Sequence, residues 1–437
     1  MSTDVAPLID AVRGLWTEPV DVRLGTGHAR PVPHACEFIV VPNARRPAML
    51  LPAGSRRAAA TAAARWGSEG SGTGRLKQWG LVAALRLGLA GAVLPDRVIA
   101  TQPNGAEGGS GDGPMAGPNL AGHLSEHFGR DVLLAVRVGT LRPNRKPVLQ
   151  VLGPDGSLIA FVKVGHDPLT RDLVRAEAQA LSRVHAARLS TVIAPVPLLT
   201  GDWHGLELLV LSPLSPRRTR LWRGMSRLPA EAVREVAGIG TDTVPSRSPL
   251  RAAPFWLALQ QRAAGLLDAG ERTAARAVIT QLGLRHGETQ LALGGWHGDW
   301  TPWNMRPDHG GRVRPDQAGR GRRGDQQGYL QLWDWERFAT GVPVGFDALH
   351  YRLNHHRVIR GLPTAQAVDR LLADAGSTLH GLGPDGEQAA LVAELYLLEL
   401  AIRYLQDGQT PSGSLVRRHG NAVLSALGAL LAEGRPA

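Results

Sequence analysis

The order of apolar segments between residues 128 and 214 is the feature that most constrains the fold of this chain. Three strand-like segments come first, DVLLAVRVG, KPVLQVL and SLIAFVKVG, with Pro-Asp-Gly between the second and third as a hairpin turn. A helical segment follows, LTRDLVRAEAQALSRVHAARL, and then two more strands, VIAPVPLLTG and LELLVLSPL. From about residue 250 the sequence is mostly helical. This order predicts an α+β chain with a strand-rich half and a helical half.

Two polar motifs interrupt the helical half. The first is WHGDWTPWNM, in which Asp299 and Asn304 stand five residues apart and His297 precedes the aspartate by two. The second is LWDWERFATGVPVGFD, in which Asp334 lies between two tryptophans. A carboxylate in such apolar surroundings costs free energy unless it is paired or bound to a metal. Phosphoryl transfer from ATP needs a proton acceptor, oxygen ligands for Mg²⁺ and a cation on the phosphates. The two motifs therefore favour magnesium-dependent phosphoryl transfer.

Each motif alone also has a structural interpretation. Asp299 and Asn304 are residue types that cap turns, and Asp334 could be one member of a buried ion pair. The presence of both motifs, in this order and after the strand-rich segment, favours the catalytic interpretation.

The chain resembles the aminoglycoside phosphotransferase and choline kinase group, within the protein-kinase-like fold. The catalytic loop of that group has His-Gly-Asp, two residues, Pro, one residue and Asn, and each position is met by HGDWTPWN. Its metal motif, Ile-Asp-Trp-Glu or similar followed by Gly-x-Pro and Asp, is closely matched by LWDWERFATGVPVGFD. Over about residues 128–430 the resemblance implies a bilobal fold, with a five-stranded antiparallel N-lobe and a mostly helical C-lobe. It implies Asp299 as catalytic base, Asn304 and Asp334 as Mg²⁺ ligands, and His297 and Asp347 as structural support.

The resemblance also implies nucleotide contacts in the strand-rich segment. Lys163 ends the strand LIAFVKV, where the group has its phosphate-binding lysine, and Glu177 on the following helix would pair with it. A surface cation and a solvated helix carboxylate are the alternatives. Only three of the 49 basic residues are Lys, which favours a binding role for Lys163. No Gly-x-Gly-x-x-Gly is present in the corresponding turn; Lys146 there either covers the phosphates by charge or marks an exposed hairpin tip.

Four segments are predicted along the chain. Residues 1–103 form an N-terminal accessory α/β region, which the resemblance does not cover, with a hairpin in EFIVVPNARRPAMLLP and helices at about 55–66 and 76–91. Residues 104–127 are predicted as a Gly-rich linker, 128–214 as the N-lobe and 215–437 as the helical C-lobe. An Arg-rich insertion, 307–328, is predicted as an exposed basic loop. It makes the gap between the two motifs longer than the group usually shows.

The amino-acid composition limits the kinds of binding partner and the cellular compartment that are expected. The net charge is +11 and the pI about 10.8, but nearly all basic residues are Arg in a chain rich in Ala, Gly and Pro. This indicates a coding bias with a solvated surface, and the lack of a recognised nucleic-acid-binding motif disfavours a nucleic-acid partner. A single cysteine, Cys36, excludes an internal disulfide. The apolar runs are too short or too charged to span a bilayer, so a cytoplasmic protein is predicted.

The expected function is ATP- and Mg²⁺-dependent transfer of a phosphoryl group to the hydroxyl of a small molecule. A sugar, an amino alcohol or a glycan precursor is favoured over an aminoglycoside, because a polycation needs an acidic pocket and this chain is basic. Three histidines, His350, His355 and His356, are interpreted as polar helix positions rather than zinc ligands. A kinase-like pseudoenzyme or nucleotide-binding scaffold and a polyanion-binding protein are the alternative functions.

Overall fold

The computed structural model describes residues 12–16, 20–26, 35–65, 72–101, 119–137, 148–214, 228–240, 246–308, 329–409 and 413–432. The chain divides into two compact units. The first comprises Met1–Leu141, Arg145–Val174 and Pro197–Pro216, and the second comprises Arg142–Asn144, Arg175–Val196 and Arg217–Ala437. The first is rich in strands and the second in helices, so the predicted bilobal α+β fold is confirmed. The predicted role of Lys146 lies outside the described residues, as does most of the Arg-rich insertion.

Fifteen strands lie within the described residues: β1 (Asp21–Thr26), β2 (Cys36–Val41), β3 (Met49–Pro52), β4 (Asp96–Thr101), β5 (Leu133–Arg137), β6 (Val148–Leu152), β7 (Leu158–Gly165), β8 (Val192–Ile193), β9 (Pro197–Trp203), β10 (Leu206–Leu211), β11 (Ser246–Pro249), β12 (Gln290–Trp296), β13 (Met305–Asp308), β14 (Tyr329–Leu332) and β15 (Ala339–Pro343). The same part of the chain forms thirteen α-helices: α1 (Arg56–Arg65), α2 (Gly72–Leu87), α3 (Ala90–Val93), α4 (Leu120–Phe128), α5 (Pro168–Ala186), α6 (Ala230–Ala237), α7 (Pro254–Ala264), α8 (Ala269–His286), α9 (Phe346–Asn354), α10 (Thr364–Ala373), α11 (Ala375–Leu379), α12 (Gly386–Asp407) and α13 (Ser414–Ala432).

The first unit is built on one nine-stranded antiparallel sheet, in the order β1-β4-β2-β3-β5-β6-β7-β10-β9. Strands β5, β6, β7, β10 and β9 are the five antiparallel strands that the sequence predicts. The predicted hairpin over β2 and β3 and the two predicted helices, α1 and α2, are also present. The segment VIAPVPLLTG was predicted as one strand. It is divided in the structure, because Val192–Ile193 pairs with β14 in the second unit while Pro197–Trp203 belongs to the large sheet.

The N-terminal region extends this sheet. Strand β3 pairs with β5, so that Met49 lies opposite Arg137 and Leu50 opposite Val136. A single apolar cluster on one face of the sheet contains Val40 and Val98 from the N-terminal strands, together with strand residues beyond residue 130. Residues 120–127 were assigned to the linker, whereas the structure places them in α4, which begins at the capping residue Asn119.

The second unit contains helices and two small three-stranded sheets, β11-β12-β15 and β13-β14-β8. Apart from β8, which lies within the predicted segment VIAPVPLLTG, these strands were not predicted, because they are only four to seven residues long. The central helix is α12, which is buried around almost its whole circumference. Glu399 on this helix forms an ion pair with Arg262 on α7 at 2.9 Å. None of the described helices is long and apolar enough to cross a membrane.

Candidate active site

The loop after β12 is held by the carboxylate of Asp347. The backbone N–H of His297 donates to Asp347 Oδ2 at 2.7 Å, and that of Gly298 donates to Oδ1 at 3.1 Å. Asp347 lies in the first turn of α9 and is buried. Burial raises the pKa of Asp347 to about 7, although the two N–H donors and the charge of Arg403 act in the opposite direction. The carboxylate therefore joins the start of α9 to the loop that carries Asp299.

His297 connects the two motifs through its ring. Its Nδ1 accepts the backbone N–H of Asp299 at 3.2 Å, so the ring proton of the neutral imidazole is on Nε2, which donates to the carbonyl of Trp333 at 3.1 Å. The ring is fully buried, and burial lowers the pKa of His297 to about 4. A neutral ring is therefore expected at physiological pH, with both nitrogens used in hydrogen bonds.

The two motifs pack so closely at position 298 that only glycine fits there. Its φ is +83°, and a Cβ at this position would collide with the backbone carbonyl of Arg337. The carbonyl of Gly298 accepts a hydrogen bond from Arg403 at 2.7 Å. The glycine of the His-Gly-Asp sequence thus allows the loop to lie directly against the segment that follows Asp334.

Asp299 is hydrogen-bonded through both carboxylate oxygens. Its Oδ1 lies 3.1 Å from Nε2 of His350, and its Oδ2 accepts the side-chain amide of Asn304 at 2.8 Å. The same amide donates to the carbonyl of Asp299 at 3.0 Å. Burial raises the pKa of Asp299, but the hydrogen bond from His350 and nearby charge outweigh burial, and the pKa lies below its usual value. The arrangement presents an ionised, oriented carboxylate that can accept a proton.

The pairing of two short strands brings Asn304 beside the second motif. Strands β13 and β14 pair so that Met305 lies opposite Leu332, and the N–H of Trp333 donates to the carbonyl of Asn304 at 3.0 Å. The side-chain amide of Asn304 is used on Asp299, which leaves its Oδ1 as the oxygen able to bind a metal. Strand register sets this proximity, so the length of the insertion between the strands does not alter it. Residues 309–328 of that insertion lie outside the described residues.

Asp334 has an unusual backbone conformation. Its φ and ψ are +72° and +57°, the left-handed region, which costs a residue other than glycine roughly 1–3 kcal/mol. One carboxylate oxygen each of Asp334, Glu177 and Glu336 lie within 4.8 Å of one another. Glu177 is fully buried on α5, and its Oε1 accepts the N–H of Trp335 at 3.3 Å. An all-oxygen set of this kind fits the ligand preference of Mg²⁺.

The other predicted site residues are placed as follows. Lys163 is partly buried in β7, opposite Val148 and Leu209 in the neighbouring strands. Its predicted pairing with Glu177 stays a prediction. Lys146 lies outside the described residues.

Two residues of the site were missed at the level of sequence. Glu336 is the glutamate of the Asp-Trp-Glu triplet, and its position in the motif could have indicated it. His350 was interpreted as an ordinary polar helix position. His350 does lie on helix α9, but its ring is buried against Asp299, a contact that the sequence did not indicate. The sequence did contain one indication of its position: His350 is three residues after Asp347, and this spacing places both residues on one face of a helix.

Comparison with known proteins gives matches only among solved structures. No protein-family model matches the sequence, and no curated protein matches it significantly. The matched structures include a macrolide 2′-phosphotransferase from Brachybacterium faecium, with 16% identity, 68% of this chain and 97% of that chain covered, and a TM-score of 0.38. A choline kinase from Streptococcus pneumoniae has 13% identity, coverages of 70% and 97%, and a TM-score of 0.38. A choline kinase from Cryptosporidium parvum has 10% identity, coverages of 69% and 91%, and a TM-score of 0.40.

These structures are enzymes of the group that the two motifs resemble.

Proposed function

We propose that this protein is an ATP- and Mg²⁺-dependent phosphotransferase whose acceptor is the hydroxyl of a small molecule. The observation that carries the proposal is the pair of contacts on Asn304. Its side chain orients the carboxylate of Asp299, while its backbone carbonyl is bound to the residue before Asp334. These contacts support a site in which the proposed proton acceptor lies beside the proposed metal ligands.

Asp299 is the residue that accepts the proton of the acceptor hydroxyl in this proposal. The hydroxyl oxygen forms a bond to the γ-phosphorus, the bond from that phosphorus to the bridging oxygen breaks, and ADP leaves. Asn304 and Asp334, with Glu336 beside them, would hold Mg²⁺, which when bound neutralises charge on the phosphate oxygens. Lys163 is proposed to contact the same phosphates. His297 and Asp347 support the loop without touching the reacting atoms.

The acceptor is proposed not to be a polycation. The net charge of +11 disfavours a polycationic acceptor such as an aminoglycoside. A sugar, an amino alcohol or a glycan precursor remains the preferred class.

The proposal is tested by acceptor-dependent release of ADP. Purified protein with MgATP is screened against sugars, amino alcohols and aminoglycosides, and the same screen is run on the Asp299→Asn variant. The amide cannot take the proton, so kcat should fall by at least about 10²-fold while ATP affinity changes little. Asp369→Asn, on the exposed surface of α10, is the matched control and should behave like the parent.

Two outcomes would contradict the proposal. One is turnover of Asp299→Asn at the parental rate. The other is ATP binding without transfer to any acceptor class, which would favour the pseudoenzyme.

A further inference from the structure

The side chain of His350 forms the middle of a chain of three polar groups, Asp299, His350 and Tyr396. Its Nε2 lies 3.1 Å from Oδ1 of Asp299, and its Nδ1 lies 3.0 Å from the hydroxyl of Tyr396. His350 and Tyr396 are 2% and 0% exposed, so the contact between them is shielded from water, whereas the side chain of Asp299 is 36% exposed. Three elements therefore meet at the acceptor side of the site: the loop after β12, helix α9 and helix α12.

Hydrogen-bonding capacity determines where the protons of this chain lie. An ionised Asp299 can only accept, so the proton of the neutral imidazole must be on Nε2 of His350. Nδ1 then carries a lone pair and accepts a hydrogen bond from the Tyr396 hydroxyl. Burial lowers the pKa of His350 and raises that of Tyr396 well above 10, so that the ring is neutral and the phenol keeps its proton. Each donor in the chain thus has a single acceptor.

Helix α9 holds the catalytic loop at two points. Asp347 in its first turn binds the backbone of His297 and Gly298, and His350, one turn later on the same face, binds the side chain of Asp299. The ring of Tyr396 packs edge-on against Phe346 at a centroid distance of 5.7 Å, which limits its movement. The loop and its carboxylate are therefore oriented by one helix.

We propose that His350, held by Tyr396, is a positioning residue that sets the rotation of the Asp299 carboxylate towards the acceptor hydroxyl. The inference rests on the proposed function and deepens it. Asn304 orients the other carboxylate oxygen but is also placed to bind the metal, so its substitution affects nucleotide and base together. The side chain of His350 hydrogen-bonds to Asp299 and Tyr396, while its backbone carbonyl accepts the side-chain amide of Asn354. Loss of His350 should consequently lower kcat and leave the KM for ATP nearly unchanged.

The test compares two amides that differ by one methylene. In His350→Gln the amide nitrogen can occupy the place of Nε2 and still donate to Asp299, whereas in His350→Asn it cannot reach. We expect His350→Asn to lose about 10- to 100-fold in kcat, the range that a misplacement of about 1 Å produces, and His350→Gln to recover most of that loss. Tyr396→Phe should give a smaller loss of kcat. His356→Asn is the control, because this histidine is equally buried but lies 3.3 Å from Asp374 instead.

A spectroscopic measurement tests the contact without any substrate. The ¹⁵N shifts of the His350 imidazole should show a proton on Nε2 in the parent, and the Nε2 signal should move in Asp299→Asn. A proton on Nδ1 would overturn the inference, as would equal kcat for the Gln and Asn variants. If the parent transferred no phosphoryl group, the proposed function would fail, while the imidazole shifts would still decide whether His350 holds Asp299.

Discussion

At the scale of single residues, the site uses side chains that make two hydrogen bonds each to different segments. Asp347 accepts two backbone N–H groups, and His297 joins the backbone of Asp299 to that of Trp333. Because these groups are buried, leaving one of them without a partner costs about 1–3 kcal/mol. The protonation states of His297 and Asp347 therefore affect the stability of the folded loop.

The titration of His297 should appear in the pH dependence of stability. Its pKa is about 4 when folded, against 6.5 for a free histidine, so the unfolded chain binds the proton first. The stabilisation is complete above pH 6.5 and is lost as pH falls towards 4, by about 3 kcal/mol in all. Urea unfolding of the parent and of His297→Gln at pH 7.5 and pH 5 measures this difference. The pKa of Asp347 is raised on folding, so its contribution to the pH dependence of stability has the opposite sign. Asp347 is present in both proteins, so this contribution cancels when they are compared. An equal pH dependence in the two proteins would show that the pKa of His297 is not lowered.

Lys163 tests whether a compact cation is needed in the first unit. The substitution Lys163→Arg keeps the charge, but a planar guanidinium is wider than an ammonium and binds phosphate oxygens in a different geometry. We expect the increase in thermal midpoint on adding MgATP to be largely lost, with stability in its absence within about 1 kcal/mol of the parent. Lys77→Arg, on the exposed face of α2, is the matched control. A normal MgATP shift and normal turnover in Lys163→Arg would make Lys163 a structural cation only.

At the scale of elements, the β13–β14 hairpin sets the relation between the two motifs. The pairing runs from Met305 opposite Leu332 to Asp308 opposite Tyr329, so the motif residues lie just beyond the end of the pairing that is farther from the insertion. A shift of one residue in register would turn alternate side chains to the other face. Strand pairing, rather than the sequence distance from Asn304 to Asp334, therefore keeps these residues together.

The insertion should be dispensable for turnover. Residues 309–328 are replaced by Asn-Gly, which forms the two-residue turn suited to directly opposed residues such as Asp308 and Tyr329. We expect the far-UV circular dichroism and kcat to stay close to those of the parent. A folded variant with normal ATP binding but little turnover would instead assign the insertion to the acceptor site.

At the scale of the whole molecule, the N-terminal strands β1 to β4 are part of the sheet that carries Lys163. Strand β3 covers the edge of β5, and the apolar cluster on one face draws on both regions. An uncovered edge strand exposes backbone N–H and C=O groups that can pair with another chain. The resemblance to known kinases does not include this region, but the hydrogen bonds of the sheet continue into it.

A chain beginning at residue 119 is therefore expected to aggregate rather than to fold as a smaller protein. Size-exclusion chromatography and circular dichroism of this truncation and of the full chain test the expectation. Two point variants keep the chain length constant: Leu50→Asp, at a fully buried position of β3, should lower the thermal midpoint strongly, whereas Leu24→Asp, 41% exposed in β1, should not. A soluble, folded truncation with normal turnover would make the N-terminal strands an independent addition.

The amino-acid sequence by itself determined the features that depend on neighbouring residues. Alternation and turn residues indicated the strands of the large sheet and the helices around it, because their periods are local. Asp299 and Asn304 were recognised for the same reason, since they belong to one loop of a few residues. The short strands β11 to β15 were missed, because four to seven residues carry too little periodicity to stand out.

Only the tertiary structure decided which distant residues complete the site. His350 reaches Asp299 across 51 positions, Tyr396 reaches His350 across 46, and Glu177 reaches the turn at Trp335 across 158. A buried histidine and a surface histidine look alike in a sequence, because burial depends on elements that pack together from far along the chain. The same holds for β3 and β5, whose pairing made the N-terminal region part of the kinase-like sheet. Hydrogen bonds between distant segments have no period, so folding alone brings them together.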